Sequence, residues 1–131
     1  MTSPARPALL TLLAILVGVE ALGVSSYTGW YITQLFRAET GTLSGALFLC
    51  ALFVLCAVWL WALTVGLLRS RTWSRSGTLV WQTIQVVVGV SMINAEGDWI
   101  FVAVFMIVLG LAAGVIGFTP QVVAAIARKR D

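Results

Sequence analysis

Residues 9–36 read LLTLLAILVGVEALGVSSYTGWYITQLF, an apolar run long enough to cross a bilayer with turns to spare, carrying a single acid, Glu20, near its middle. Any fold of this chain has to hide that carboxyl. At 1.5 Å per residue Glu20 lies roughly 18 Å into the segment, close to a bilayer midplane. A charged carboxylate at that depth costs several kcal/mol, so Glu20 is expected to be protonated or paired.

Three further apolar segments follow, and composition says what surrounds them. Of 131 residues, 60% are hydrophobic and 10% charged, with a mean hydropathy of +1.02. A soluble domain of this length cannot cover so much apolar surface, so lipid is the expected solvent. The predicted fold class is an all-α integral membrane protein, one four-helix transmembrane domain over residues 1–131. Spans are expected at about 9–36, 44–68, 78–93 and 99–117, with a cytoplasmic tail at 118–131. The first segment is too long for a signal-peptide core and lacks a convincing cleavage site, so it is expected to be retained. Residues 37–41 are expected to form a brief turn, residues 69–77 the most basic loop, and residues 94–98 a tight acidic turn. Short connections make consecutive spans antiparallel neighbours, which gives an up-down-up-down bundle. Thr119-Pro120 is a capping residue followed by proline at a first helical position, predicting a short amphipathic helix on the membrane surface.

The positive residues predict orientation. With both termini in the cytoplasm, Arg6, Arg69, Arg71, Arg75, Arg128, Lys129 and Arg130 lie inside and only Arg37 lies outside. The aromatics fit the same frame, with Tyr27, Trp30, Tyr31 and Trp99 at the outer interface and Trp59, Trp61, Trp73 and Trp81 toward the inner one. The net charge of +3 sits beside the spans, where topology explains it, so no nucleic-acid partner is expected. Arg69, Arg71, Trp73 and Arg75, together with Arg128, Lys129 and Arg130, are candidate contacts to anionic lipid headgroups.

Small residues predict where helices approach one another. Ala14, Gly18, Ala21, Ser25 and Gly29 form a stripe on the first span. Ala62 and Gly66 do the same in the second, Gly89 in the third, and Gly110 and Gly114 in the fourth. In lipid, close backbone packing of this kind drives association.

No histidine is present, which removes the commonest general base and metal ligand. Cys50 and Cys56, six positions apart, point to different faces of a helix and are read as small buried residues. Glu96 and Asp98 fall far short of a calcium loop. No phosphate-cradling glycine loop or nucleophile–base pair is recognisable, so no cofactor, no metal and no enzymatic activity are expected.

Two readings of Glu20 stay open. On a helical wheel its face includes Tyr27, Tyr31 and Gln34, a polar track toward the outer surface along which a proton or cation could move. Alternatively a neutral Glu20 hydrogen-bonds Gln82 or Gln85 on the third span and fixes helix pairing.

The segment VGVEALGVSSYTGW is faintly similar to the first span of small multidrug transporters, which also centre on one membrane glutamate. That similarity covers one span, and those transporters have weak charge bias. The early glutamate, RSRTWSRSGTLVWQTIQ (residues 69–85) and FTPQVV (residues 118–123) together resemble a family of small four-span membrane proteins common in actinobacteria. The resemblance implies a bacterial inner-membrane setting but brings no activity or site residues. The small extramembrane mass, the lack of reaction chemistry and the several small-residue faces make a larger membrane complex the expected partner, with this chain as a non-enzymatic accessory subunit; an Mce-type lipid importer or a respiratory assembly is the expected host in such an envelope. A homo-oligomeric proton-coupled transporter working through Glu20 and a regulatory protein sensing anionic lipids are the alternatives.

Overall fold

The computed structural model describes residues 7–37, 42–94 and 97–128, all built from helices and short turns. Among these residues the helices are α1 (Ala8–Leu35), α2 (Leu43–Leu68), α3 (Thr72–Met92), α4 (Trp99–Gly117) and α5 (Pro120–Arg128). Three of them, α1, α2 and α4, are long and apolar enough to cross a membrane. None of α1 to α4 has a side-chain hydrogen bond at its N-cap.

The first four helices close a ring of neighbours: α1 on α2, α2 on α3, α3 on α4 and α4 on α1. Neighbours run in opposite senses. Tyr31 reaches Ala46 while Gly18 faces Thr64, and Gly110 lies on Gln82 and Val86 while Gly117 lies on Leu79. The core is concentrated at one end, where Leu10, Leu13, Ala14 and Val17 meet Leu60, Leu63, Leu67 and Ala113. Val122 and Ile126 of α5, one turn apart, complete it. The apolar face of α5 is therefore used on the bundle's own core rather than lying flat against lipid.

The segment expected to be a basic loop is mostly helix. Only Arg69, Ser70 and Arg71 connect α2 to α3, and Thr72 to Gly77 form the first turns of α3 rather than preceding a span at residue 78. The reason is a compact helix stop. The Ser70 N–H donates to the Leu67 carbonyl at 3.0 Å and the Arg71 N–H to the Gly66 carbonyl at 2.8 Å, with Ser70 left-handed at φ 54°. This is the Schellman closure. The Ser74 hydroxyl and N–H then bond the Arg71 carbonyl to start α3. A Cβ on Gly66 would stand 2.7 Å from Ser74 Cβ, so the turn closes this tightly because residue 66 has no side chain.

Helix α3 is inside out by soluble standards. Ser74, Thr78, Gln82, Gln85 and Gly89 are its buried residues, while Val80, Ile84, Val87, Val88 and Val90 are exposed. Spacings of three and four place the buried set on one narrow stripe.

Some of the small residues sit at helix contacts and others do not. Ala14 and Ala21 are buried, Gly18 faces Thr64, and Cβ atoms on Gly89 and Gly110 would stand 2.8 Å from Ile107 and 2.9 Å from Val86. Gly29 and Gly114 meet nothing within 4 Å, and Ala62 is exposed. Accordingly, Gly89→Val should destabilise the protein by about 1–3 kcal/mol through overpacking, while Gly29→Val should leave equilibrium unfolding in detergent unchanged. Ser70→Gly should stabilise by roughly 0.5–1 kcal/mol, the left-handed penalty less the extra chain entropy of glycine. A destabilised Ser70→Gly protein would show that the closure does not limit stability.

Candidate functional site: a carboxyl clamped across the bundle

Glu20 is 7% exposed, although most of α1 around it faces outward. Its position follows from helical spacing: Leu13, Val17 and Glu20 share the buried face of α1. Directly across the ring lies α3, a helix that α1 does not otherwise pack along. Two side chains of α3 close the gap. The Trp81 indole Nε1 donates to Glu20 Oε2 at 3.0 Å, and the Gln82 amide Nε2 donates to the same oxygen at 3.1 Å.

Gln85, about one turn further on, also stands beside the carboxyl, and its Nε2 donates to the Met106 carbonyl at 3.0 Å. One stripe of α3 thus ties to α1 through Trp81 and Gln82 and to α4 through Gln85. Helix α2 is tied in separately, by Trp61 Nε1 donating to Ser25 Oγ at 2.9 Å.

Two atoms of this site have no partner. Glu20 Oε1 and Gln82 Oε1 are buried and make no hydrogen bond among the described residues. Both are acceptors when the carboxyl is ionised, so the site then has two acceptors to spare. A buried unsatisfied acceptor costs about 1–3 kcal/mol.

The expected polar track toward the outer surface is not assembled around Glu20. Tyr27 and Tyr31 both pack edge-on against Phe53 of α2, at centroid distances of 5.2 Å and 5.4 Å. The Tyr31 hydroxyl donates to the Ala46 carbonyl at 3.4 Å. Gln34 is half-buried near the end of α1. These residues share the azimuth of Glu20 on a wheel, but at their height the helix on that side is α2.

Trp81, read from sequence as an interface marker, instead supplies its N–H to the acid. The signal for it was present: Trp81 lies one turn before Gln85 and beside Gln82, on the stripe already suspected of partnering Glu20. Trp61, read the same way, likewise uses its N–H on a helix partner, Ser25 of α1, at the exposed edge of the α1–α2 contact.

The candidate headgroup contacts divide. Arg69, Arg71 and Trp73 line a shallow groove of about 470 Å³ together with Ala62 and Gly66. Arg75 turns away, its Nε donating to the Gly117 carbonyl at 2.9 Å and its guanidinium stacking 5.4 Å over the Phe118 ring. Lys129, Arg130 and the side chain of Arg128 lie outside the described residues, as do Arg6, Glu39 and Glu96. Cys50 and Cys56 are free thiols, both half-buried. Among the described residues, no group of three or more acidic, cysteine or histidine side chains could hold a metal ion.

Removing the acid should expose the coupling. Glu20→Leu leaves two donors of α3 without their acceptor and should cost about 2–3 kcal/mol. Trp81→Phe should cost about 1 kcal/mol. In the Glu20→Leu, Gln82→Leu double variant the loss should be clearly smaller than the sum of the single losses, read by unfolding in mild detergent. Additive losses would mean that the two side chains do not act as a pair.

Compared with known proteins, the chain matches no family model, no curated protein and no solved structure.

Proposed function

We propose that this protein is a non-enzymatic membrane subunit that docks sideways on a larger assembly in the same bilayer. All four long helices cross the membrane in this reading, with both termini on the cytoplasmic side. For α3 the support is its outward apolar face and its 21 residues, about 31 Å of helix against a hydrocarbon core of about 30 Å. For orientation the support is the excess of arginine and lysine beside one set of helix ends.

The observation that carries the docking reading is the outer face of α1. Gly23, Ser26 and Gly29 are all exposed, and Cβ atoms added at Gly23 and Gly29 would meet nothing within 4 Å. In lipid such residues gain nothing by facing acyl chains, whereas they let another helix approach closely. Glu20, the acid among the described residues of the four long helices, is meanwhile engaged in tying the protein to itself. The two candidate hosts in a bacterial inner membrane, a lipid importer or a respiratory assembly, differ in what they would bring down with this chain.

A second reading has one observation in its favour. Glu20 is an acid at membrane depth with an unsatisfied oxygen, which is what a proton-coupled carrier needs. Glu20→Gln separates the two. A carrier loses its pH-dependent transport, while a clamp keeps its fold and its partner, because an amide preserves the acceptor for Trp81 and Gln82.

The direct test is affinity purification of the tagged protein from its native membrane in mild detergent, with mass-spectrometric stoichiometry. A larger partner at fixed ratio is expected. Gly23→Leu together with Gly29→Leu should weaken its recovery roughly tenfold, about 1.4 kcal/mol, without lowering the stability of the isolated protein. Recovery of a stable monomer alone, in wild type and variant alike, would end the docking reading.

A further inference from the structure

A groove of about 720 Å³ runs between α3 and α4 on the outside of the bundle. Leu79, Val86, Leu111 and Val115 form its walls, Gly110 and Gly114 its floor, and Phe118 one end. Gly110 lets α4 pack closely on Val86 of α3, and it is at Gly114 that the groove is open. At Gly114 a Cβ would meet nothing within 4 Å. From Gly110 to Thr119 the groove follows nine residue steps of chain, about 13 Å if helical throughout. One leaflet of a bilayer is about 15 Å of hydrocarbon. The groove therefore has the length and the apolar character of one acyl chain.

Its Phe118 end is cationic. Arg75, Leu79, Gln82 and Val86 follow one another at spacings of three and four, so Arg75 heads the same face of α3 that forms the groove wall. The guanidinium stacks over the ring of Phe118, a residue that lines the groove, and is held there by its Nε donating to the Gly117 carbonyl. No described carboxylate neutralises it. The only described acids are Glu20, which is clamped by α3 inside the bundle, and Asp98, at the opposite end of α4. A fixed guanidinium at the end of an apolar slot complements a phosphate attached to a chain.

We propose that the α3–α4 groove is a binding site for one anionic phospholipid, with an acyl chain lying on Gly110 and Gly114 and its phosphate against Arg75. The site requires only that the bundle sits in a bilayer, and it is independent of whether α1 docks on a partner. Lipid held there would cover the seam between α3 and α4 and the junction to α5, as a fixed part of the structure rather than an exchanging neighbour.

The test is native mass spectrometry of the full-length protein extracted in mild detergent from vesicles of equal phosphatidylglycerol and phosphatidylcholine. Wild type should retain one phosphatidylglycerol. Gly114→Leu fills the slot where the fold has room for a side chain, and Arg75→Gln removes the charge. Each should lower retention at least roughly tenfold relative to wild type. Gly114→Leu also keeps the test valid if Arg75→Gln fails to fold for want of its Gly117 bond. Unchanged retention in Gly114→Leu would overturn the site. Equal retention of phosphatidylcholine would overturn its anionic character, and full competition by free glycerophosphate would show that headgroup chemistry alone, without the groove, accounts for binding.

Discussion

The carboxyl of Glu20 sets the spacing of the two diagonal helices, and much of the bundle depends on that distance. In a ring of four helices, neighbours touch along their length while the diagonal pairs are held apart by the thickness of the core. Here α1 and α3 are such a pair, and long polar side chains reach where backbones cannot: Trp81 and Gln82 both end on one oxygen of Glu20. In water this arrangement would compete with solvent for every bond. In a lipid-surrounded core no solvent competes, and the alternative for each group is to remain unpaired. The acid that is most costly to bury is for the same reason the most effective cross-link the chain possesses.

The rest of α3 is shaped by this role. A helix that carries its polar residues inward and its valines outward would be misfolded in water, yet it is consistent with lipid on the outside and a hydrogen-bonded interior. Gln85 extends the same logic to α4 by taking the Met106 carbonyl, and the close approach at Gly89, within 3.1 Å of the Ala103 carbonyl for an added Cβ, keeps α4 near enough for that bond. At the other end, Gly66 allows Ser74 to nest against α2, so α3 begins immediately after the turn. Specific polar bonds and the absence of side chains at Gly66, Gly89 and Gly110 act together, each making the other's geometry possible.

What the sequence made legible follows from which signals are unambiguous in a membrane chain. The three apolar helices were visible within a residue of their ends, because long uninterrupted apolar runs admit few alternatives. The pairing of Glu20 with Gln82 was visible because no lysine or arginine lies at matching depth and amides were the remaining candidates. The early start of α3 was hidden, since Arg, Ser and Thr at residues 69–77 read as loop chemistry when hydropathy is the only guide. Trp81 is a different case: its place beside Gln82 is legible, but tryptophan in a membrane chain first suggests an interface, and that reading competes with the one its N–H calls for. The misplaced tyrosines show the limit of a wheel. It gives azimuth correctly but not which neighbour occupies that azimuth at a given height, and Phe53 of α2 occupies it here.

The outer surface carries two features that the interior does not need. Small residues on the exposed face of α1 leave room for a helix, and the glycine-floored groove between α3 and α4 leaves room for a chain ending in an anion. They lie on different helices, so occupying one does not block the other. An inward-facing polar core that is nearly self-sufficient leaves the exterior free to be specialised in this way, because substitutions there do not disturb the clamp. Among the described residues, Glu20, Trp81, Gln82 and Gln85 make their hydrogen bonds within the bundle, so the groups that hold α3 to α1 and α4 are not the ones the surface presents.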